Sequence, residues 1–260
     1  MIVELIGCAG AGKTTLRKSL CACGITGAPV VAMPDLVLDK PLLSRIAHPT
    51  AMNVVQEIAS FPFFLAAWRR ERDFIAFARR MFSHPGVTTY DKLNGLRGIV
   101  RKLGMYHLAA ARAPRAIVLS EEGTLLSAYN LFVSTGDELS PHEIETFARL
   151  VAMPDRVVYV KAPVRTLVER ALTRPDTRRQ HRGKHVVDIE RDIQRTVELF
   201  DLIAATASVR DRITVVDNSD ADEAGKQIIA EDIARWLEGS LSIPQPMKHV
   251  VGPANLGAWP

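Results

Sequence analysis

The chain has 260 residues, of which 47% are hydrophobic and 24% are charged; its formal net charge is +4 and its pI is near 9.1. This apolar content is enough for a large buried core and excludes a disordered chain. The weak positive charge suits small anionic ligands and falls short of the basic stripe of a nucleic-acid-binding protein. The longest apolar runs are too short to span a bilayer, so a membrane protein is not expected.

The number and spacing of the cysteines indicate the cellular compartment of the protein. Cys8, Cys21 and Cys23 form neither an even disulfide set nor a paired CxxC metal motif, which is typical of a reducing interior. The N-terminal residues MIVELIG lack a charged leader with a cleavage site. We therefore expect a cytoplasmic protein.

Short runs rich in β-branched residues alternate with helical patterns along the chain. The runs are IVELI from Ile2, PVVAM from Pro29, AIVLS from Ala116, RVVYVK from Arg156 and ITVVD from Ile213. This alternation predicts an α/β fold with a parallel sheet and helices on both faces. We predict one domain over residues 1–238 and an irregular tail, rich in Pro and Gly, over residues 239–260.

A helical segment interrupts the strands. Between about residues 36 and 114 the sequence shows only helical periodicity, which predicts a helical insertion. Further along, Ser140 before Pro141, with Glu143 following, predicts the capped start of another helix.

The stretch GCAGAGKTT satisfies the phosphate-binding pattern G-x-x-x-x-G-K-[ST], directly after a predicted strand and before a predicted helix. In this context the backbone N–H groups converge on phosphate oxygens, Lys13 reaches the β and γ phosphates, and the Thr14 hydroxyl ligates Mg²⁺. The loop therefore predicts a bound nucleotide with Mg²⁺, but by itself it does not separate kinases from GTPases, ABC-type ATPases and motors. The predicted nucleotide-binding residues of this loop are Gly7, Cys8, Ala9, Gly10, Ala11, Gly12, Lys13, Thr14 and Thr15.

An acidic pair follows the strand AIVLS. Glu121 and Glu122 would lie at the carboxyl edge of the sheet, where ligands of such folds bind. A carboxylate there can hold Mg²⁺ or accept a proton from an attacking hydroxyl. Two adjacent acids do not both point inward, so we expect Glu121, which is nearer the strand, to be the functional one; the alternative is a solvated acidic turn.

An arginine cluster follows the strand RVVYVK. Arg170 and Arg174 are spaced i, i+4 on one helix face, and Pro175 ends that helix. We predict a basic lid over about residues 174–186, in which Arg174 and Arg178 neutralise charge on the transferring phosphoryl group. The alternative is a solvated turn or a patch for a nucleic-acid backbone.

These elements, in this order, resemble the thymidylate kinase-like branch of P-loop kinases. The form G-x-x-G-x-G-K-T-T is similar to the phosphate loop of nucleoside and nucleotide kinases. The resemblance implies a five-stranded parallel sheet, ATP and Mg²⁺ as cofactors, and a mobile arginine lid. It also implies that Arg170, on the helix before the lid, contacts the nucleotide, and that the donor base lies near Asp217 and Asn218. The chain departs from the family at Ser120 to Gly123, where Ser-Glu-Glu-Gly replaces an Asp-Arg-aromatic element, so the acceptor stays open.

The resemblance also suggests where the acceptor would bind. In related nucleoside kinases an acid after the second strand meets the acceptor hydroxyl, which makes Asp35 a candidate general base; the alternative is that it only caps the next helix. Polar and aromatic residues of the insertion would line the acceptor pocket; the alternative is that its arginines and His107 are plain surface charges and its apolar residues ordinary core. The residues expected at the pocket are Trp68, Arg69, Arg70, Arg72, Asn94, Arg97, Arg101, Tyr106 and His107.

The sequence thus predicts a kinase that moves the γ-phosphoryl group of ATP to a nucleoside, a nucleotide, a sugar or a related metabolite. One alternative is an ATPase or nucleotide-dependent switch that acts on a protein partner. The other is a module that binds RNA or DNA through the basic lid. A homodimer is compatible with all three.

Overall fold

The structure is a computed structural model that describes residues 1–37, 49–84, 86–133, 138–173, 185–219 and 223–241. Its strands form one parallel sheet in the order β2-β3-β1-β4-β5. The strands are β1 (Ile2–Ile6), β2 (Val30–Ala32), β3 (Ile117–Ser120), β4 (Arg156–Lys161) and β5 (Ile213–Asp217). The predicted α/β fold with five parallel strands is confirmed.

Helices cover both faces of the sheet. They are α1 (Lys13–Cys23), α2 (Pro49–Phe82), α3 (Thr89–Arg112), α4 (Pro141–Leu150), α5 (Val164–Leu172), α6 (Val186–Ala205), α7 (Ala207–Arg210) and α8 (Glu223–Leu241). A short 3₁₀ turn (Met33–Leu36) follows β2, and a π-helical turn (Tyr129–Val133) lies between β3 and α4. None of the helices in these ranges is long and apolar enough to cross a membrane.

The central strand β1 explains why the sheet needs two helical layers. All five of its residues are buried, and their side chains alternate between the faces. Val3 and Leu5 pack in the core with α1, α5 and α8, whereas Ile6 packs in the core with α2, α4 and α6. A strand buried on both faces is typical of a parallel sheet, and its sequence is a nearly continuous run of apolar residues.

The helical insertion forms a closely packed pair over one face. Among the described residues between β2 and β3 there is no strand, and α2 packs along α3. The two helices touch where Gly104 meets Ser60, since a Cβ at Gly104 would lie 2.6 Å from the Ser60 carbonyl oxygen. A larger residue at position 104 would separate the helices.

Two predicted boundaries differ in the structure. Helix α8 continues to Leu241, because Gly239 stays in helical backbone, so the predicted boundary after residue 238 falls within this helix. The predicted lid begins within residues 174–184, which lie outside the described ranges, and Val186 already belongs to α6. Residues 242–260 also lie outside. The capped start of α4 is confirmed, since the Ser140 hydroxyl accepts a hydrogen bond from the Glu143 N–H.

Candidate active site

The glycine-rich loop joins β1 to α1 and has the compact curl that a phosphate requires. Gly12 has a φ of +99°, and a Cβ there would lie 2.2 Å from the Asn218 amide nitrogen. Gly7 has a φ of +134°, and a Cβ there would lie 2.3 Å from the Val160 carbonyl oxygen. Only glycine fits these two positions, because of both the backbone conformation and the space.

Lys13 begins α1 and lies across the loop. Its Nζ atom donates hydrogen bonds to the carbonyl oxygens of Gly7 at 2.6 Å and Cys8 at 2.8 Å. The ammonium group is thus held over the curl of the backbone, at the place where β and γ phosphates bind in loops of this sequence pattern.

Thr14 and Glu121 meet at the carboxyl edge of the sheet. The Thr14 hydroxyl donates a hydrogen bond to Glu121 Oε2 at 2.5 Å, and the Arg17 guanidinium donates to the other carboxylate oxygen. Glu121 therefore points inward, whereas the side chain of Glu122 is 69% exposed, and the functional role of Glu121 stays a prediction. A hydroxyl and a carboxylate oxygen side by side form a donor set of the kind that Mg²⁺ prefers.

A buried carboxylate anchors the loop that carries Glu121. Glu4, in the middle of β1, accepts hydrogen bonds from the N–H groups of Leu125 at 3.1 Å and Leu126 at 2.9 Å. The approach is so close that a Cβ on Gly123 would lie 2.3 Å from the Glu4 carboxylate. Burial raises the pKa of Glu4, and the two backbone hydrogen bonds oppose that rise. The loop after β3 is thereby attached to the neighbouring strand.

Arg170 and Asn218 join the phosphate loop to the loop after β5. The Arg170 guanidinium donates to the carbonyl oxygens of Gly10, Asn218 and Ser219 at 3.1 to 3.2 Å. The Asn218 amide donates to the Ala11 carbonyl oxygen at 2.7 Å. Both residues therefore shape the site through the backbone, and their predicted contacts with nucleotide stay predictions.

A cavity of about 460 Å³, here called the loop cavity, extends from the phosphate loop toward α8. Its walls combine phosphate-loop residues with residues of α5, β5 and α8. Besides Gly10, Gly12, Lys13, Thr14, Thr15 and Glu121, they include Arg170, Thr173, Val216, Asn218, Lys226 and Ile229. The predicted donor-base residue Asp217 is absent from these walls, and its carboxylate instead accepts a hydrogen bond from the Ser219 N–H.

Two smaller cavities share Glu121 with the loop cavity. The inner cavity, about 280 Å³, is lined by Gly7, Cys8, Ala9 and Lys13 together with residues of α3, α6 and the π-helical turn. The outer cavity, about 340 Å³, lies between α1, α2, α3 and the ends of β2 and β3. Both cavities are lined by Arg101, Lys102, Glu121 and Glu122. The reactive end of the phosphate loop and the helical insertion thus share one set of charged walls.

Two adjacent basic residues of α3 form part of those walls. Arg101 donates hydrogen bonds to Asn53 Oδ1 and, at 3.3 Å, to Glu122 Oε2. Lys102 is 7% exposed, and burial lowers its pKa from 10.5 to about 8, against the opposing charges of Glu122 and Glu4. A buried lysine of this kind is rare in proteins unless a partner compensates its charge.

The remaining predicted site residues, of the insertion and the lid, lie in different parts of the chain. Of the insertion residues named from the sequence, Arg101 alone lines either of these cavities. Tyr106 and His107 are wrong as pocket residues, because the Tyr106 hydroxyl donates to the Met153 carbonyl and His107 pairs with the buried Glu71 at 2.9 Å. Trp68 is also wrong, since it lies on an outer surface of α2. Arg174 and Arg178 lie outside the described residues.

Asp35 lies in the 3₁₀ turn after β2 and is exposed. Its neighbours Met33 and Pro34 line the outer cavity, but Asp35 does not, and its charge acts on Cys21 of α1. The structure therefore places this carboxylate beside the cavity, and its role as a base stays a prediction.

Sequence reasoning missed three charged residues at the site: Arg17, Lys102 and Glu4. Arg17 had a signal, since it follows Thr14 by one helical turn and lies on the same face of α1. Lys102 also had one, because it is spaced three residues from the core residue Ile99, a position where an apolar residue is expected. Glu4 is the one acid in an otherwise apolar strand, which marks it as unusual without revealing its partners.

No protein-family model matches the sequence, and no curated protein matches it. Solved structures do match. The thymidylate kinase from Candida albicans aligns with a TM-score of 0.51 at 10% identity, over 92% of this chain and 92% of that chain. The deoxyadenosine kinase from M. mycoides gives 0.49 at 12%, over 90% and 100%, and the shikimate kinase from Bacteroides thetaiotaomicron gives 0.48 at 14%, over 92% and 98%.

At these identities the likeness to thymidylate kinase establishes the fold and no more. The chain has the three-layer fold of P-loop kinases, so the resemblance inferred from its sequence is confirmed at that level. These solved neighbours are kinases of small molecules, and the deoxyadenosine kinase is reported with dCMP and dCDP bound.

Proposed function

We propose that this protein transfers the γ-phosphoryl group of ATP to a small-molecule acceptor. The observation that carries the proposal is the contact between Thr14 of the phosphate loop and Glu121 at the end of β3. It brings a cation-binding hydroxyl and an inward-facing carboxylate together where the loop cavity meets the inner and outer cavities. A donor site and an acceptor site would thus be adjacent across one carboxylate.

The loop cavity suits the nucleotide. The curled backbone and Lys13 would hold the phosphates, while Thr173, Lys226 and Ile229, which line the same cavity, would contact the base. Thr14 and Glu121 fit Mg²⁺, since both present hard oxygen donors to this cavity. When bound, the ion would neutralise charge on the β and γ phosphates.

The acceptor would bind in the inner and outer cavities, which share Glu121 with the loop cavity. Arg17 holds one carboxylate oxygen of Glu121, which fixes the direction of the other oxygen toward Thr14. In this position Glu121 can orient an acceptor hydroxyl and receive its proton. The helices α2 and α3 would enclose the acceptor and exclude water, which protects ATP from hydrolysis.

The test is an ADP-release assay with Mg²⁺ and ATP against a panel of nucleosides, nucleotides, sugars and hydroxy acids. We expect at least one compound to stimulate release, and Lys13→Ala to abolish it while keeping the fold, because the Lys13 side chain contacts the phosphate loop and not the hydrophobic core. Lys18→Ala, an exposed residue of the same helix, is the matched control and should keep full activity. Stimulation that survives in Lys13→Ala would contradict the proposal.

A second candidate function is a nucleotide-dependent switch that acts on a protein partner. One observation favours it: α2 carries a row of exposed apolar side chains at helical spacing. The row consists of Val54, Ile58, Phe61, Leu65 and Trp68. Apolar patches of this kind often mark protein interfaces. ATP turnover that no metabolite stimulates but a protein partner does would favour this function over the first. The possible homodimer stays a prediction.

A further inference from the structure

Lys102 is a lysine of α3 whose charge the described residues compensate only in part, through the carboxylates of Glu122 and Glu4. Its ammonium group donates no hydrogen bond and forms no ion pair within 4.0 Å among the described residues, although the residue is only 7% exposed. Its neighbours on α3, by contrast, are paired, since Arg101 contacts Asn53 and Glu122. Buried charges without a partner are costly, so natural proteins seldom keep them without a functional reason.

The charged groups around Lys102 are themselves occupied. Glu121 accepts hydrogen bonds from Thr14 and Arg17, and Glu4 accepts them from backbone N–H groups after β3. Glu122 is largely exposed and its contact is with Arg101. The Lys102 ammonium is thus attracted by the carboxylates of Glu122 and Glu4 and lies within hydrogen-bonding distance of neither.

The lysine lines the place where a ligand would enter. Lys102 is part of the wall of both the inner and the outer cavity, next to Arg101. A ligand with an anionic oxygen group could accept hydrogen bonds from both side chains at once, which would give the ammonium group a direct partner that the described residues do not provide. A neutral ligand would bring no opposite charge to the Lys102 ammonium group.

We propose that the phosphoryl acceptor is an anion whose carboxylate or phosphate group binds Lys102 and Arg101 where the inner and outer cavities meet. The rest of the acceptor would lie in the outer cavity, against the amides of Asn53 and Gln56 and three methionines, Met33, Met52 and Met105. This proposal rests on the proposed function, because it names the substrate class of that same site.

The test uses the full chain with the loop cavity filled by a non-hydrolysable ATP analogue and Mg²⁺. The probes are matched pairs that differ in charge: deoxynucleosides against their 5′-monophosphates, and hydroxy acids against their methyl esters, with inorganic phosphate and acetate as the simplest anions. Thermal stabilisation identifies binding, and titration gives Kd. The proteins compared are wild type, Lys102→Met and the control Lys92→Met, which changes another lysine of α3 outside the cavity walls.

We expect anionic members to bind and their neutral partners not to, with Lys102→Met weakening Kd at least tenfold and Lys92→Met leaving it unchanged. The affinity for the ATP analogue should be equal in all three proteins, which separates a contact with the acceptor from general damage to the site. Binding of phosphate compounds but not carboxylates, or the reverse, would decide which anion the site takes.

Equal binding of neutral and anionic partners would overturn the proposal, as would an unchanged Kd in Lys102→Met or the failure of every anionic probe to bind wild type. These results are distinguishable from failure of the proposed function. Phosphoryl transfer to a neutral acceptor would support the proposed kinase function and contradict the proposed anion site. Anion binding that depends on Lys102, without any phosphoryl transfer, would support the anion site and contradict the kinase function.

Discussion

Replacing Lys102 by methionine should make the protein more stable. Methionine keeps the length of the side chain and removes the buried charge. Burial lowers the pKa of Lys102 from 10.5 to about 8, and that value already includes the opposing attraction of Glu122 and Glu4. At about 1.4 kcal/mol for each pKa unit, the buried ammonium costs about 3 kcal/mol of folding free energy at neutral pH.

The gain should depend on pH in a defined direction. The folded pKa of Lys102 lies below the unfolded one, so between pH 8 and 10.5 the unfolded state binds more protons. The stability of the wild type should therefore rise with pH across this window, relative to Lys102→Met. The advantage of the variant is full below pH 8 and disappears above pH 10.5.

Urea unfolding of both proteins at pH 7 and pH 10 measures this difference, because every other titrating group is common to the pair. We expect Lys102→Met to be more stable at pH 7 by up to about 3 kcal/mol, and the gap to shrink at pH 10. A variant less stable than the wild type at pH 7 would refute the reasoning, since it would show that the ammonium supports the fold through Glu4 or Glu122.

Three further predictions concern the carboxylates. Glu121→Gln should lower kcat/KM far more than Glu122→Gln, because only Glu121 contacts Thr14. Equal and small losses in the kinase assay would show that the two acids belong to a solvated turn without a catalytic role. Glu4→Gln should lower the free energy of unfolding by about 1 to 3 kcal/mol, because the amide group faces backbone N–H donors, and unchanged urea unfolding would contradict the anchoring role. Asp35→Asn should fold and bind ATP normally, and a wild-type transfer rate in that protein would rule Asp35 out as the base.

The strands and the phosphate loop could be predicted from sequence because their signals are local. A strand buried on both faces is a short β-branched run, and each of the predicted runs contains an observed strand. The loop is a contiguous pattern whose glycines at positions 7, 10 and 12 all have positive φ. The inward direction of Glu121 followed from its place directly after the strand.

The rest of the site depends on contacts between distant residues. Arg170 was expected to meet phosphate, yet its guanidinium binds carbonyl groups 48 and more positions away in sequence. In the insertion, periodicity predicted the helices but not which neighbours each helix face contacts. Tyr106 and His107 were therefore expected in a pocket, whereas both contact other parts of the fold. Lys102 was not predicted as a site residue, because a lysine on a helix is normally expected to lie on the protein surface.

The anchoring of the loop after β3 has a consequence for how this protein can change its substrate. Glu121 is held by the sheet, through Glu4 on β1, whereas the wall of the outer cavity that comes from α2 consists of Met52, Asn53 and Gln56. Substitutions at these three helical positions can reshape the acceptor pocket without moving the carboxylate at which the chemistry would take place. Selection can therefore act on specificity and on reactivity in separate parts of the chain, and a library restricted to those positions would explore new acceptors at little risk to the catalytic centre.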